Sequence, residues 1–294
     1  IMAVFGPKTG YTTSPQSSPN APVNSLTGSG RGAEGQLGNN AVANYTSPIL
    51  IGSLTNWAQI MCGYVTTTAI KTDGTLWTWG GGTNVSYNKG QLGNNTTATY
   101  SSPNQVGALT NWSSLDSNSN MSRYWLATKT DNSLWACGDN SYGQLGNNTV
   151  TLYSSPIQVG TLTNWKQVAC GYVSSAAIKT DGTLWTWGAN GYGQLGVGAA
   201  FTTTYSSPVQ VGALTNWSQV CTVPGANPGH TMAAIKTDGT LWAWGNNSLG
   251  QLGTNYSTGY SSPIQVGAGT TWNKVFVGYR SAFGLKTDGT LWSW

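Results

Sequence analysis

Charge is what this sequence has least of. Of its 294 residues, 7% are Asp, Glu, Lys or Arg, against a usual share of about 25%. Twelve basic and eight acidic residues are spread thinly along the chain. No run of Lys or Arg could follow a phosphate backbone, so nucleic acid is not an expected partner. Histidine is reduced to His230, in the irregular segment TVPGANPGH, where no orienting partner for triad chemistry is evident. The cysteines Cys62, Cys137, Cys170 and Cys221 form no CxxC pair and no cluster with His, so they are expected as small apolar fillers and no metal site or cofactor is expected. No apolar run approaches the ~18 residues of a membrane-spanning helix, and membrane insertion is not expected.

What the chain has instead is glycine (40), tryptophan (15) and many Ser, Thr and Asn residues. These fall into a repeat. Gly-Gln-Leu-Gly begins at Gly35, Gly90, Gly143, Gly193 and Gly250, and Lys-Thr-Asp at Lys71, Lys129, Lys179, Lys236 and Lys286. Between them stand a Ser-Pro ending at Pro48, Pro103, Pro156, Pro208 and Pro263, and a Trp at 57, 112, 165, 217 and 272. Five units of roughly 54 residues account for residues 25–294, and periods of this size mark repeat architectures.

Each unit reads as four short strands: a after the Pro (PIQVG), b from the Trp (WKQVACG), c (AAIKT) and d (TLWTW). The Asp-Gly pairs Asp73-Gly74, Asp181-Gly182, Asp238-Gly239 and Asp288-Gly289 predict a type I′ hairpin between c and d, with Asp131-Asn132 as its variant. The expected fold is all-β: a β-propeller of four-stranded antiparallel blades. Residues 1–24, rich in Pro, Ser and Thr, predict an extended arm that docks into neighbouring structural subunits.

The recurrent DGTLWTWG and GQLG blocks resemble the regulator-of-chromosome-condensation repeat family, over nearly all of the chain after residue 24. That resemblance implies a propeller, and family roles that include a chromatin-bound exchange factor for a small GTPase and an ultraviolet-B photoreceptor. The exchange factor works through charged surfaces, of which this chain has few. The photoreceptor's GWRHT-type motif is replaced by GYVTT from Gly63, GYVSS from Gly171 and GYRSA from Gly278. The composition is closer to the low-charge repeats of phage structural and bacterial extracellular proteins.

Catalytic carboxylates are nearly used up by the turns. Five of the eight acids are the repeated turn Asp, leaving Glu34, Asp116 and Asp139. A facing carboxylate pair of the kind glycosidases need is not expected, and no catalytic residue is assigned. Loop lengths point elsewhere. Pro to Trp is nine residues and Lys to Trp six in every unit, whereas Trp to Lys is 14, 17 or 19. The d–a connection varies as well. In a meander the b–c and d–a connections leave the same side, so all variation falls on one face, where repeat proteins commonly bind.

The candidate binding residues on that face are Tyr87, Lys89, Arg123, Tyr124, His230, Tyr279 and Arg280. The expected function is a non-enzymatic structural and recognition module on a virion (tail fibre or capsid decoration) or a cell surface, contacting a partner protein, receptor or surface glycan. The alternative is an intracellular regulator such as a small-GTPase exchange factor.

Overall fold

The computed structural model describes residues 2–5, 25–53, 55–63, 65–81, 88–116, 123–199, 201–223, 230–278 and 280–294. The first sheet is β1 (Met2–Phe5), β2 (Leu26–Gly30) and β3 (Tyr45–Leu50). Four complete blades follow. The second is β4 (Trp57–Cys62), β5 (Thr66–Lys71), β6 (Leu76–Gly80) and β7 (Tyr100–Gln105). The third is β8 (Trp112–Leu115), β9 (Tyr124–Lys129), β10 (Leu134–Gly138) and β11 (Tyr153–Gln158). The fourth is β12 (Trp165–Cys170), β13 (Ser174–Lys179), β14 (Leu184–Gly188) and β15 (Tyr205–Gln210). The fifth is β16 (Trp217–Thr222), β17 (Thr231–Lys236), β18 (Leu241–Gly245) and β19 (Tyr260–Gln265). The sixth sheet is β20 (Trp272–Val277), β21 (Ala282–Lys286) and β22 (Leu291–Ser293). All pairings are antiparallel, and consecutive sheets share hydrophobic clusters, as expected of propeller blades.

Three expectations change. The blade order is b-c-d-a: strand a hydrogen-bonds to the d strand of the preceding unit, so sequence unit and blade are offset by one strand. Strand a also begins three residues before its Pro. In β15 the pairing passes from Gly188↔Tyr205 to Thr186↔Val209, so Ser206, Ser207 and Pro208 form a bulge on the edge strand, where a Pro without an N–H breaks no ladder. The start of the stretch expected as an arm is a strand of the first sheet, since Met2↔Ser29 through Phe5↔Leu26 pair. Residues 6–24 lie outside the described residues.

The c–d turn is also one residue longer than a type I′ hairpin. Gly74 N–H donates to Lys71 C=O at 3.0 Å, and within the turn Gly74 has a positive φ (76°) while Asp73 does not. This is a type I turn closed by a left-handed Gly, a three-residue loop. Asp73 Oδ1 accepts from Thr75 Oγ1 (2.6 Å) and Thr75 N (3.0 Å), and Thr75 Oγ1 accepts from Trp77 Nε1 at 2.8 Å. The same relay recurs from Asp131, Asp181, Asp238 and Asp288. The hydroxyl hydrogen bond first, then the backbone one, holds each of these carboxyls below the usual range.

The Lys before the turn is covered in the four complete blades. Lys71, Lys129, Lys179 and Lys236 are 5–7% exposed. Each ammonium sits 3.4–3.7 Å from the centroid of the first Trp of strand d, with the strand-b Trp beside it. Desolvation lowers their pKa values, partly offset by the turn Asp.

The second Trp of strand d pins each blade to its neighbour. Trp79, Trp187, Trp244 and Trp294 donate Nε1 to the carbonyls of Gln36, Gln144, Gln194 and Gln251, the Gln of the preceding GQLG. The third blade has Cys137 at that place. Its cross-strand partner Trp125 supplies the indole instead, donating to Gln91 C=O at 2.8 Å. Gly146 lies against Trp187, and a Cβ there would stand 2.7 Å from Nε1 at a φ of +79°. Leucine cannot replace it.

Candidate functional site

The two faces differ in how they are bonded. On the side of the a–b and c–d turns, Trp217 N donates to Gly182 C=O and Thr180 N to Asn164 C=O. Equivalent bonds join Trp112 to Gly74 and Trp165 to Asn132. Each c–d turn is thereby tied to the next unit's Trp, and a changed length would break that link. The constant spacings of nine and six residues follow from this.

On the other side, the residue entering strand c accepts from the residue after strand d: Val65 from Gly81, Arg123 from Asp139, Val173 from Ala189 and His230 from Asn246. The b–c and d–a connections therefore emerge together, as the meander requires.

The d–a loop is a built platform. Buried Asn140 accepts Leu145 N on Oδ1 and donates Nδ2 to Asn147 Oδ1 and Thr149 C=O. Asn190 and Asn247 bond the same way to Leu195 N and Leu252 N. The GQLG Gln Oε1 accepts the N–H of the residue just before the motif: Glu34, Lys89, Tyr142, Tyr192 or Leu249. These five side chains share one register on one face and differ in kind. Tyr142 (49% exposed), Tyr192 (36%) and Leu249 (54%) project furthest.

The sequence-predicted residues separate on this face. Lys89 belongs to the platform position. His230 stacks on Tyr192, ring centroids 4.6 Å apart and planes 9° apart, with burial lowering its pKa. Arg123 lies over the Tyr172 ring at 6.0 Å, bridging adjacent blades. Arg280 is exposed on the last b–c connection. Tyr124 is not on the surface: it is 1% exposed in β9, and its hydroxyl donates to Ser174 C=O (2.8 Å) and meets Ser175 Oγ (2.9 Å). Strand c faces the core on both sides in the complete blades, which is why its first residue cannot be a contact residue. Tyr87 and Tyr279 lie outside the described residues.

Glu34, Tyr142, Tyr192 and Leu249 were missed because loop length, not side-chain variation, guided the choice. The column preceding GQLG, read down the five units, would have shown them. Of the remaining acids, Asp116 is buried and accepts Cys170 N at 2.7 Å, and Asp139 caps Ser141. The four cysteines are free thiols. Among the described residues no three His, Cys, Asp or Glu side chains gather as metal ligands.

A repeated four-stranded blade with one constant face and one face of interchangeable loops defines a β-propeller recognition scaffold. A family model described as "Regulator of chromosome condensation (RCC1) repeat" matches residues 28–70, 131–178, 181–222 and 238–285, more than half of the chain. The chain belongs to this RCC1 repeat family. It is similar to the Ultraviolet-B receptor UVR8 of Arabidopsis thaliana, 29% identical over 241 residues covering 81% of this chain and 52% of that protein. It is also similar to the E3 ubiquitin-protein ligase HERC2 of Mus musculus, 27% identical over 85% of this chain and 5% of that protein. Among solved structures, Prp20p of Saccharomyces cerevisiae superposes with a TM-score of 0.72 at 19% identity, over 90% of this chain and 64% of that one. The chain thus spans about half of the receptor and a small part of the ligase.

Proposed function

We propose that this RCC1-repeat propeller is a non-enzymatic recognition module that holds a partner protein against its b–c/d–a face. One observation carries the reading: five side chains of different chemistry, Glu34, Lys89, Tyr142, Tyr192 and Leu249, stand at one register on an identically bonded loop. Exposed Tyr side chains on a rigid support are anchors that protein interfaces use, with His230 stacked on Tyr192 and Arg123 over Tyr172. On the opposite face the turn backbones are tied blade to blade. Prp20p, similar in fold, is described for its binding to Gsp1p and histones. The low charge and Ser/Thr/Asn-rich surface support a setting on a virion or cell surface, where neighbouring structural subunits or a receptor would be the partner.

The test is a triple variant, Tyr142→Ser, Tyr192→Ser and Leu249→Ser. Surface changes of this type leave stability within about 0.5 kcal/mol each. Binding to the isolated partner should fall at least tenfold at unchanged melting temperature; unchanged affinity would remove the platform from the interface. A second reading, nucleotide exchange on a small GTPase, comes from the family resemblance. Nucleotide release from a GTPase panel tests it: acceleration by the wild type, lost in the triple variant, would put it first.

A further inference from the structure

Between the third and fourth blades lies a groove of about 320 Å³ that the recognition face does not use. Asn147, Asn148, Gln158, Lys179, Trp185 and Pro208 line it, over a floor that includes Leu162 and Trp165. The volume is at the small end of the roughly 300–1,000 Å³ typical of small-molecule sites, enough for a compact ring and too little for a folded partner.

Two buried donors at this groove make no hydrogen bond. Lys179 is 5% exposed, and its ammonium sits 3.7 Å from the Trp185 centroid and 4.8 Å from that of Trp165, with no acceptor among the described residues. Trp165, 2% exposed, has an indole Nε1 with no hydrogen-bond partner. The same Lys and unpaired indole recur in the other units, at Lys236 and Trp217 for one, so what distinguishes this groove is the rest of its lining. Around them stand neutral groups that both donate and accept: the amides of Asn148 and Gln158 and the hydroxyl of Ser207. The walls, Trp185, Leu162, Val159 and Pro208, are apolar.

We propose that this groove is a saccharide subsite that seats one neutral pyranose unit of a glycan, independently of the protein-binding face. A pyranose presents C–H faces to apolar walls and hydroxyls that both donate and accept, which matches this lining. An anion fits less well, because the one ammonium is already opposed by the Asp181 carboxylate and no arginine lines the groove. A purely apolar ligand would desolvate the amides of Asn148 and Gln158 and the Lys179 ammonium without replacing their hydrogen bonds.

The chain contains its own control. The groove between the fourth and fifth blades, about 230 Å³, is lined by Val211, Leu214, Trp217, Trp242, Ser262 and Pro263, the counterparts of the same positions. There Val197-Gly198 replaces Asn147-Asn148. Asn148 has φ +62° and Gly198 φ +71°, so Asn147→Val with Asn148→Gly transplants a loop this fold already accepts.

The experiment titrates the full chain with methyl pyranosides of glucose, galactose, mannose and N-acetylglucosamine, and with methyl glucuronide. It reads tryptophan fluorescence and saturation-transfer NMR. Saturable millimolar binding of a neutral glycoside is expected. Both the Asn147→Val/Asn148→Gly variant and Lys179→Met should weaken it at least tenfold, while Lys236→Met, at the equivalent position of the next blade, leaves it unchanged. Absence of saturable binding, binding of the glucuronide alone, or wild-type affinity in both the loop variant and Lys179→Met would overturn the proposal.

Discussion

Exchange of Trp125 and Cys137 tests whether the indole pin at the blade seam is a fixed requirement of the scaffold. In the fourth blade the cross-strand pair is Ser175↔Trp187, and the Trp is on strand d; in the third it is Trp125↔Cys137, and the Trp is on strand c. Both indoles end at a Gln carbonyl of the preceding loop, at 2.8 Å. Trp125→Ser alone removes a side chain 1% exposed and its hydrogen bond to Gln91 C=O. A buried Trp truncation costs about 3–5 kcal/mol and the lost hydrogen bond about 1 kcal/mol more. Cys137→Trp alone puts a second indole where Cys137 is fully buried, an overpacking cost of about 1–3 kcal/mol.

The double variant recreates the Ser–Trp pair of the fourth blade and should recover most of the loss. The coupling energy is then at least about 3 kcal/mol, well beyond the ~0.5 kcal/mol within which independent sites add. Melting temperatures and urea denaturation of the four proteins measure it. In a chain of this size each kcal/mol shifts the midpoint by roughly 2–4 °C, so the worse single variant should melt about 10 °C early. Additive losses would show that the seam needs a Trp at each strand position for its own sake, refuting the idea of one interchangeable pin.

Three further outcomes follow from the same geometry. Gly146→Ala, which forces a Cβ against Trp187 at φ +79°, should cost about 2–5 kcal/mol by denaturation, the left-handed strain and the overpacking together. Burial holds the His230 pKa below its ordinary value, so the unfolded chain binds the proton more readily. Its stabilising share is complete above about pH 6.5 and is lost as pH falls through the lower native value; His230→Phe should flatten the melting temperature between pH 7.5 and 5. The five turn carboxylates are likewise held low. Their contribution is present above the ordinary Asp value of about 3.9 and is lost as pH drops through the native values, so acid unfolding of Asp181→Ala should be shallower than that of the wild type.

Much of the architecture was readable because the sequence repeats its own geometry. DGTLW at fixed spacing gave strands c and d, and two constant against two variable connections separated the faces before any coordinate. What stayed hidden was relational. The spacing from Pro to Trp is nine residues whichever sheet strand a joins, so the b-c-d-a offset left no mark in it. Lys179 reads as a solvent-facing charge by type; only the two indoles beside it show why it is covered. Tyr124 was misplaced because it adjoins a long loop, although Trp125-Leu126-Ala127 after it already reads as buried strand. The platform residues were visible as a column, yet length variation drew attention to the neighbouring loops instead.

The central claim is that binding belongs to the face where the units differ. A photo-crosslinking amino acid placed at Tyr192, and separately at Thr161 in the constant a–b turn, tests it most directly with the isolated partner. The account predicts a single competable adduct from position 192 that disappears when Tyr142→Ser and Leu249→Ser are added, and none from position 161. An adduct from position 161 alone, or one from 192 that survives those changes, would contradict it.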